Sequence, residues 1–75
     1  MNVVGNRVLL KVAIIMNGDQ QAPSQEGKVI DSRMDGIKKG DTVFYNPYGA
    51  VSINSLTTKK HLFLVVDGED IYAKL

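Results

Sequence analysis

Few residues in this sequence could carry out acid–base or nucleophilic chemistry. His61 is the only histidine and there is no cysteine, so the sequence offers one imidazole and no thiol for catalysis. His61 precedes an apolar stretch and follows Lys60, which favours a structural or surface role. The serines lie in predicted loops or at strand ends, without the strand–turn–helix setting that exposes a nucleophilic serine. We therefore expect that the protein is not an enzyme.

Three carboxylates cluster near the C-terminus, at Asp67, Glu69 and Asp70. Carboxylate oxygens suit calcium, but the calcium-loop pattern with a later bidentate glutamate is absent. We interpret Asp67 to Asp70 as a turn and expect no metal. Gly36 and Gly40 are not followed by Lys-Ser/Thr and a helix, as a phosphate-binding loop requires. No nucleotide or other cofactor is expected.

Composition predicts one small folded domain over residues 1–75, with a thin core, because so short a chain buries only about 60% of its unfolded surface. Nine basic and eight acidic residues nearly cancel and are scattered, whereas nucleic-acid binders usually concentrate positive charge. No apolar run approaches the roughly 20 residues that span a bilayer, and no secretory signal pattern is visible. We expect a cytoplasmic protein that binds neither nucleic acid nor membrane.

The strongest candidate for binding is the apolar run Ala13-Ile14-Ile15-Met16. Arg7 to Met16 alternates as a half-buried strand does, but from Ala13 onward both faces are apolar. Such a run either extends into the core or forms an exposed binding patch. Asn17-Gly18 is typical of a two-residue hairpin turn, yet the residues that follow are polar and include Pro23. We predict that Asn17 to Glu26 forms a flexible loop, because its composition does not offset the entropy of ordering.

Turn signals divide the remainder into short strands. Besides Arg7 to Met16, strands are predicted at 28–33, 42–46, 50–53, 61–66 and 71–75, with a polar connection from Asn54 to Lys60. Six short strands without helical periodicity predict a small all-β barrel or sandwich. The last strand alternates apolar residues to the end of the chain, which favours pairing with another chain. Since no cysteine or zinc site stabilises so small a domain, we expect a homo-oligomer.

Several short motifs, in this order, resemble GroES-type co-chaperonins, the ten-kilodalton lids of chaperonins. The central motif runs from Lys38 through Gly40-Asp41 to Val43, followed by an aromatic residue, an asparagine and Tyr48-Gly49. Asn6 to Lys11 is similar to the family's first strand. Gly27 to Ile30 fits the strand after its mobile loop, and Glu69 to Leu75 is similar to its C-terminal ending.

The resemblance implies a GroES-like β-barrel that forms a homo-oligomeric, heptameric ring through its terminal strands. The implied subunit-interface residues are Val3, Val4, Ile71, Tyr72, Ala73 and Leu75. Family members dock a hydrophobic tripeptide of the mobile loop into the apical domain of a GroEL-type chaperonin, and Ile14, Ile15 and Met16 are similar to that tripeptide by position. The implied function is that of a co-chaperonin, which caps a chaperonin and assists protein folding without chemistry of its own.

Two segments are shorter than is usual in the family. The chain between Val12 and Glu26 predicts a short mobile loop, and Ser32 to Lys39 are too few for the hairpin that forms the family's roof. Such trimming would suit a minimal, phage-type co-chaperonin acting in the host cytoplasm. The alternative is an SH3-like or OB-like barrel that binds a peptide or nucleic acid through its clustered aromatics, Phe44, Tyr45 and Tyr48.

Overall fold

The described part of the chain is all-β, as the sequence predicts. A computed structural model describes residues 3–53 and 60–75, apart from the side chains of Asn17 and Gln21. The predicted connection from Asn54 to Lys60 lies outside these residues except for Lys60. The strands are β1 (Arg7–Asn17), β2 (Gln20–Ser32), β3 (Thr42–Tyr45), β4 (Ala50–Ser52), β5 (His61–Asp67) and β6 (Ile71–Lys74). One-turn 3-10 helices at Pro47–Gly49 and Gly68–Asp70 precede β4 and β6.

These strands form one antiparallel sheet in the order β4-β5-β1-β2-β3-β6. Within the described residues β4 and β6 do not pair with each other, so the sheet of this small all-β fold does not close into a barrel. Both outer strands are short, with three and four residues. Residues 33–41 connect β2 to β3 by turns and contain no hairpin.

The core lies on one face of this sheet and is centred on β1. Val8, Leu10 and Val12 of β1 point into it and are completely buried, and Leu9, which alternation places on the opposite face, is buried outside this cluster. The core cluster of the described residues consists of Val8, Leu10, Val12, Val29, Val43, Tyr45, Leu64 and Val66. No described helix or second sheet covers this face, so the strands must curl around it to exclude water.

The predicted flexible loop at Asn17 to Glu26 is wrong. Gln20 to Ser32 is a single 13-residue strand that pairs with β1 through a two-residue turn, Gly18-Asp19. Gly18 has φ 67°, which fits the first central position of a type II′ hairpin turn. Pro23 pairs with Ile14 of β1. Its missing N–H does not interrupt the pairing of β2 with β3, because β3 pairs with β2 only over Glu26, Gly27 and Lys28.

One-sided burial predicts a large difference between two valines on neighbouring strands. Val66 is fully buried on β5 and Val51 is exposed on β4. We expect Val66→Ala to lower the free energy of unfolding by about 1.5–3 kcal/mol, from lost burial and the cavity left behind. Val51→Ala, the matched control, should change it by less than about 0.5 kcal/mol. Urea unfolding of both variants measures the difference, and equal effects would contradict this account of the core.

Candidate docking arm

The β1–β2 hairpin extends beyond the rest of the sheet. Pairing of β5 with β1 ends at His61 and Ala13, followed by one hydrogen bond of 3.1 Å from the Ile14 N–H to the Lys60 carbonyl. Pairing of β3 with β2 begins only at Glu26. Residues 14–25 therefore form a two-stranded ribbon with no third described strand beside them, and we call them the docking arm. The arm contributes to an elongated shape of 38 × 25 × 20 Å.

The structure places the sequence-predicted docking residues on this arm and outside the core cluster. Ile15 is 52% exposed and Met16 is 60% exposed, whereas Ile14 is half-buried. Ile14 and Met16 lie on one face of the strand and Ile15 lies on the other. Sequence reasoning left open whether these residues continue into the core or form a patch. The run does continue β1, but it does so past the last described neighbouring strand, and two of its apolar side chains are exposed.

A groove of about 720 Å³ separates the arm from the body of the domain. Ile15 and the β2 segment from Ala22 to Glu26 line it on the arm side, and Phe44, Pro47 and Tyr48 line it on the body side. Tyr48 is 97% exposed. The described lining contains no lysine or arginine, and Glu26 is its only charged residue. The groove is therefore suited to apolar groups rather than to a phosphate backbone.

Hydrogen bonds fix the turn that carries Tyr48. The Asn46 side chain accepts from the Tyr48 N–H at 3.1 Å and donates to the Asp70 carboxylate at 3.3 Å. The Asn46 N–H also donates to the Asp70 carbonyl at 2.8 Å. A Cβ at Gly49 would overlap the Asp70 carboxylate, so a larger residue there would displace the carboxylate that accepts from Asn46. The Pro47–Gly49 turn is thereby held against the start of β6.

The clustered aromatics of the sequence do not form one platform. Tyr45 is 1% exposed and belongs to the core, whereas Phe44 and Tyr48 contribute to the groove. The Tyr45 hydroxyl nevertheless reaches the arm, where it donates a 2.6 Å hydrogen bond to the Ser24 carbonyl. Burial raises the pKa of Tyr45 to about 12, so the hydroxyl keeps its proton at neutral pH and can donate. Sequence reasoning missed this contact, since strand alternation places Tyr45 inward but does not show what its hydroxyl meets.

The predicted subunit-interface residues differ in how much free surface they offer. Val3 is only 4% exposed; its N–H donates to the Asp31 carboxylate at 2.8 Å, and its carbonyl accepts from the Arg33 side chain at 3.2 Å. Ile71 packs partly against the core. The remaining residues are exposed: Val4, Tyr72, Ala73 and Leu75. Val3 and Ile71 thus mainly contact their own chain, whereas the surfaces of Val4, Tyr72, Ala73 and Leu75 are accessible to another subunit.

The C-terminal carboxylates have separate structural tasks. Asp67 pairs with Arg7 at 3.0 Å, and Asp70 holds the Asn46 side chain. Within the described residues, no three histidine, cysteine or acidic side chains are grouped as a metal site would need. The same residues contain no helix long and apolar enough to cross a membrane.

Comparison with known proteins adds no family assignment. The sequence matches no protein-family model, and no curated protein is significantly similar to it. The likeness to GroES-type co-chaperonins therefore remains a hypothesis that rests on the motifs and their order.

The raised pKa of Tyr45 predicts a loss of stability in alkali. Because the folded state holds this proton more tightly than the unfolded chain, the contribution is complete below about pH 10 and is lost as pH rises through about 12. We expect the free energy of unfolding to fall between about pH 10 and 12 more steeply in the natural chain than in Tyr45→Phe. The two proteins differ only at residue 45, so denaturant titrations of the pair isolate the contribution of Tyr45. Parallel pH profiles would contradict the prediction.

Proposed function

We propose that the protein is a co-chaperonin, a homo-oligomeric ring whose docking arms bind the apical domains of a GroEL-type chaperonin and so assist protein folding. The observation that carries the proposal is the position of Ile15 and Met16, exposed apolar residues on an arm that extends past the sheet. The order of motifs in the sequence adds independent support. No catalytic group is assigned to the chain.

The size of the arm suits a weak contact that is repeated. Full burial of one such side chain is worth about 1.5–3 kcal/mol, so Ile15 and Met16 together supply only a modest gross gain for each arm. Loss of translational and rotational freedom on association offsets much of that gain. Several arms on one ring bind with a high effective local concentration, and weak contacts then sum to a tight complex. Release remains possible when the partner changes state, because each arm can detach separately.

The open edge of β6 supports assembly with other copies of the chain. Among the described residues, β3 is the only strand paired with β6, which leaves its outer backbone groups available to a further strand. Tyr72 and Leu75 are exposed along this terminal segment. Strand addition at this edge would bury them, and it would supplement the thin core of a 75-residue domain.

A second candidate function is peptide binding in the groove beside the arm. The groove is lined by Phe44, Tyr48 and two prolines, which is the type of surface that recognises extended apolar peptides. Met16 does not contribute to the groove lining, whereas Tyr48 does. Loss of ligand binding in Tyr48→Ala but not in Met16→Asp would favour a peptide module, and the reverse result would favour chaperonin docking.

The docking proposal predicts a selective effect of Ile15→Asp. The carboxylate would be stranded in an apolar groove of the partner, so we expect affinity for the chaperonin to fall by at least 10-fold per arm, corresponding to about 1.5–3 kcal/mol. Stability should change by less than about 1 kcal/mol, because the side chain lies outside the core. Gln20→Asp adds the same charge at an exposed polar position of the arm and should leave binding nearly unchanged.

Two measurements on the same samples decide this prediction: thermal unfolding of the free protein and calorimetric titration into a nucleotide-bound GroEL-type chaperonin. Early melting of Ile15→Asp would mean that Ile15 is part of the folded core. Unchanged binding in a stable Ile15→Asp variant would exclude the arm as the docking element.

The assembly proposal predicts that Tyr72→Asp dissociates the oligomer. The added charge would be buried at the edge of β6 when another strand pairs there, whereas in the isolated chain it stays in solvent. We expect native mass spectrometry to give a ring for the natural chain and mainly monomer for Tyr72→Asp. Val51→Asp places the same charge on β4, at the other edge of the sheet, and should leave the ring intact. A natural chain that is monomeric at micromolar concentration would refute the proposal.

A further inference from the structure

The docking arm joins the body of the domain at an irregularity in the β1–β2 ladder. Val12 pairs with Gly27, but Ile14 pairs with Pro23, so Ser24, Gln25 and Glu26 together face only Ala13. Extra residues on one strand interrupt the ladder and bend the strand that carries them. Since β5 and β3 also end at this level, the arm has a weak point at its base.

Tyr45 makes a contact at this weak point. Its hydroxyl donates to the Ser24 carbonyl at 2.6 Å, and the Ser24 hydroxyl accepts from the Glu26 N–H at 3.1 Å. Neither Ser24 nor Glu26 has a partner residue on β1 in the ladder. The bond from Tyr45 therefore ties down a carbonyl in the segment where the ladder is interrupted.

The hydroxyl is held in place from the other side by the core. The Tyr45 ring is almost completely buried, and β3, which carries it, pairs with both β2 and β6. A phenylalanine would fill the same core volume, so packing alone does not require the oxygen. The oxygen is the part of the side chain that links the rigid body to the arm.

We infer that Tyr45 is the positioning residue of the docking arm: by holding the Ser24 carbonyl, its hydroxyl fixes the direction in which Ile15 and Met16 project. The functional half of this inference rests on the proposed chaperonin docking. A bond at the base of a ribbon restricts rotation of the whole ribbon about its bulge. It thereby fixes the distance between Ile15 and Tyr48 across the groove. Arms that must engage several identical sites at once lose less orientational freedom when their direction is already set.

The structural half can be tested without any partner. The chain has no cysteine, so cysteines introduced at the exposed positions Asp19, in the turn of the arm, and Glu69, on the body, are the only sites for spin labels. Double electron–electron resonance, with labelled chains diluted into unlabelled ones, gives the distribution of arm–body distances. We expect a broader distribution in Tyr45→Phe than in the natural sequence. Val51→Ala, which truncates an exposed side chain on β4 outside the groove lining, should not broaden it.

The functional half compares the same unlabelled variants in calorimetric titration against a nucleotide-bound GroEL-type chaperonin. We expect Tyr45→Phe to raise the dissociation constant on the order of 3- to 10-fold per arm, as loss of one hydrogen bond does, while Val51→Ala leaves it unchanged. An unchanged distance distribution, or a broadened one with unchanged affinity, would overturn the positioning role of Tyr45. So would global unfolding of Tyr45→Phe, since the hydroxyl would then serve the core.

The two proposals fail in different ways. If Ile15→Asp abolishes chaperonin binding and Tyr45→Phe behaves like the natural chain in both measurements, docking stands and the role of Tyr45 is wrong. If neither the natural chain nor any variant binds the chaperonin, the proposed function is wrong. The functional half of the inference then falls with it, while the distance distributions still decide whether Tyr45 holds the arm.

Discussion

The structure depends on burying one apolar face of a single sheet that has no described second layer. Among the described residues this face is covered by the sheet itself and by Met34 and Ile37 of the connection between β2 and β3, and the buried residues of β1 lie at the centre. The lengths of the strands determine which part of the sheet extends beyond this core. β1 and β2 have 11 and 13 residues, whereas β3 to β6 have three to seven. The excess length of β1 and β2 has no further described strand beside it, and it forms the arm.

A two-stranded ribbon is marginally stable in water, so the arm needs support from the body. Its cross-strand pairs, such as Ile15 with Ala22, give some stability, and the Tyr45–Ser24 bond connects it to the core. Among the described residues, no strand lies beside Ile15 and Met16 to bury them. The same constraint that builds the core thus leaves apolar side chains exposed in a defined place. Binding to a partner is the outcome that would remove them from water.

The sequence was sufficient for the strands whose alternation or turn chemistry is strong. The inward face of β1, the stop at Pro47 and the turn before Ile71 follow from residue types alone, and the all-β class follows with them. The length of β2 does not follow from the sequence. Gln20 to Gln25 shows no apolar alternation, and this polarity argues against the hairpin that Asn17-Gly18 indicates. Polar residues are acceptable there, since solvent lies on both faces of a two-stranded ribbon.

The candidate site was only partly predictable for a related reason. Ile14, Ile15 and Met16 could be identified as apolar on both faces, but exposure depends on where neighbouring strands end, which local sequence does not encode. Val3 and Tyr45 show the same limit. Val3 is buried and its N–H donates to the Asp31 carboxylate, and the Tyr45 hydroxyl donates to the Ser24 carbonyl. Each position depends on a contact between residues that are distant in the chain. Long-range register, rather than propensity, decides these positions.

A hairpin in place of a flexible loop would change the energetics of the proposed docking. A disordered loop must be ordered at the moment of binding, at about 1–2 kcal/mol per residue for the backbone. In an arm that already pairs β1 with β2, the backbone is ordered during folding and not at the moment of binding. Fewer apolar side chains therefore suffice for each contact. This offsets the shortness of the segment between Val12 and Glu26. It also makes direction matter more, because a rigid arm that points away from its site cannot adjust as a loop can, and the bond at its base then becomes part of recognition.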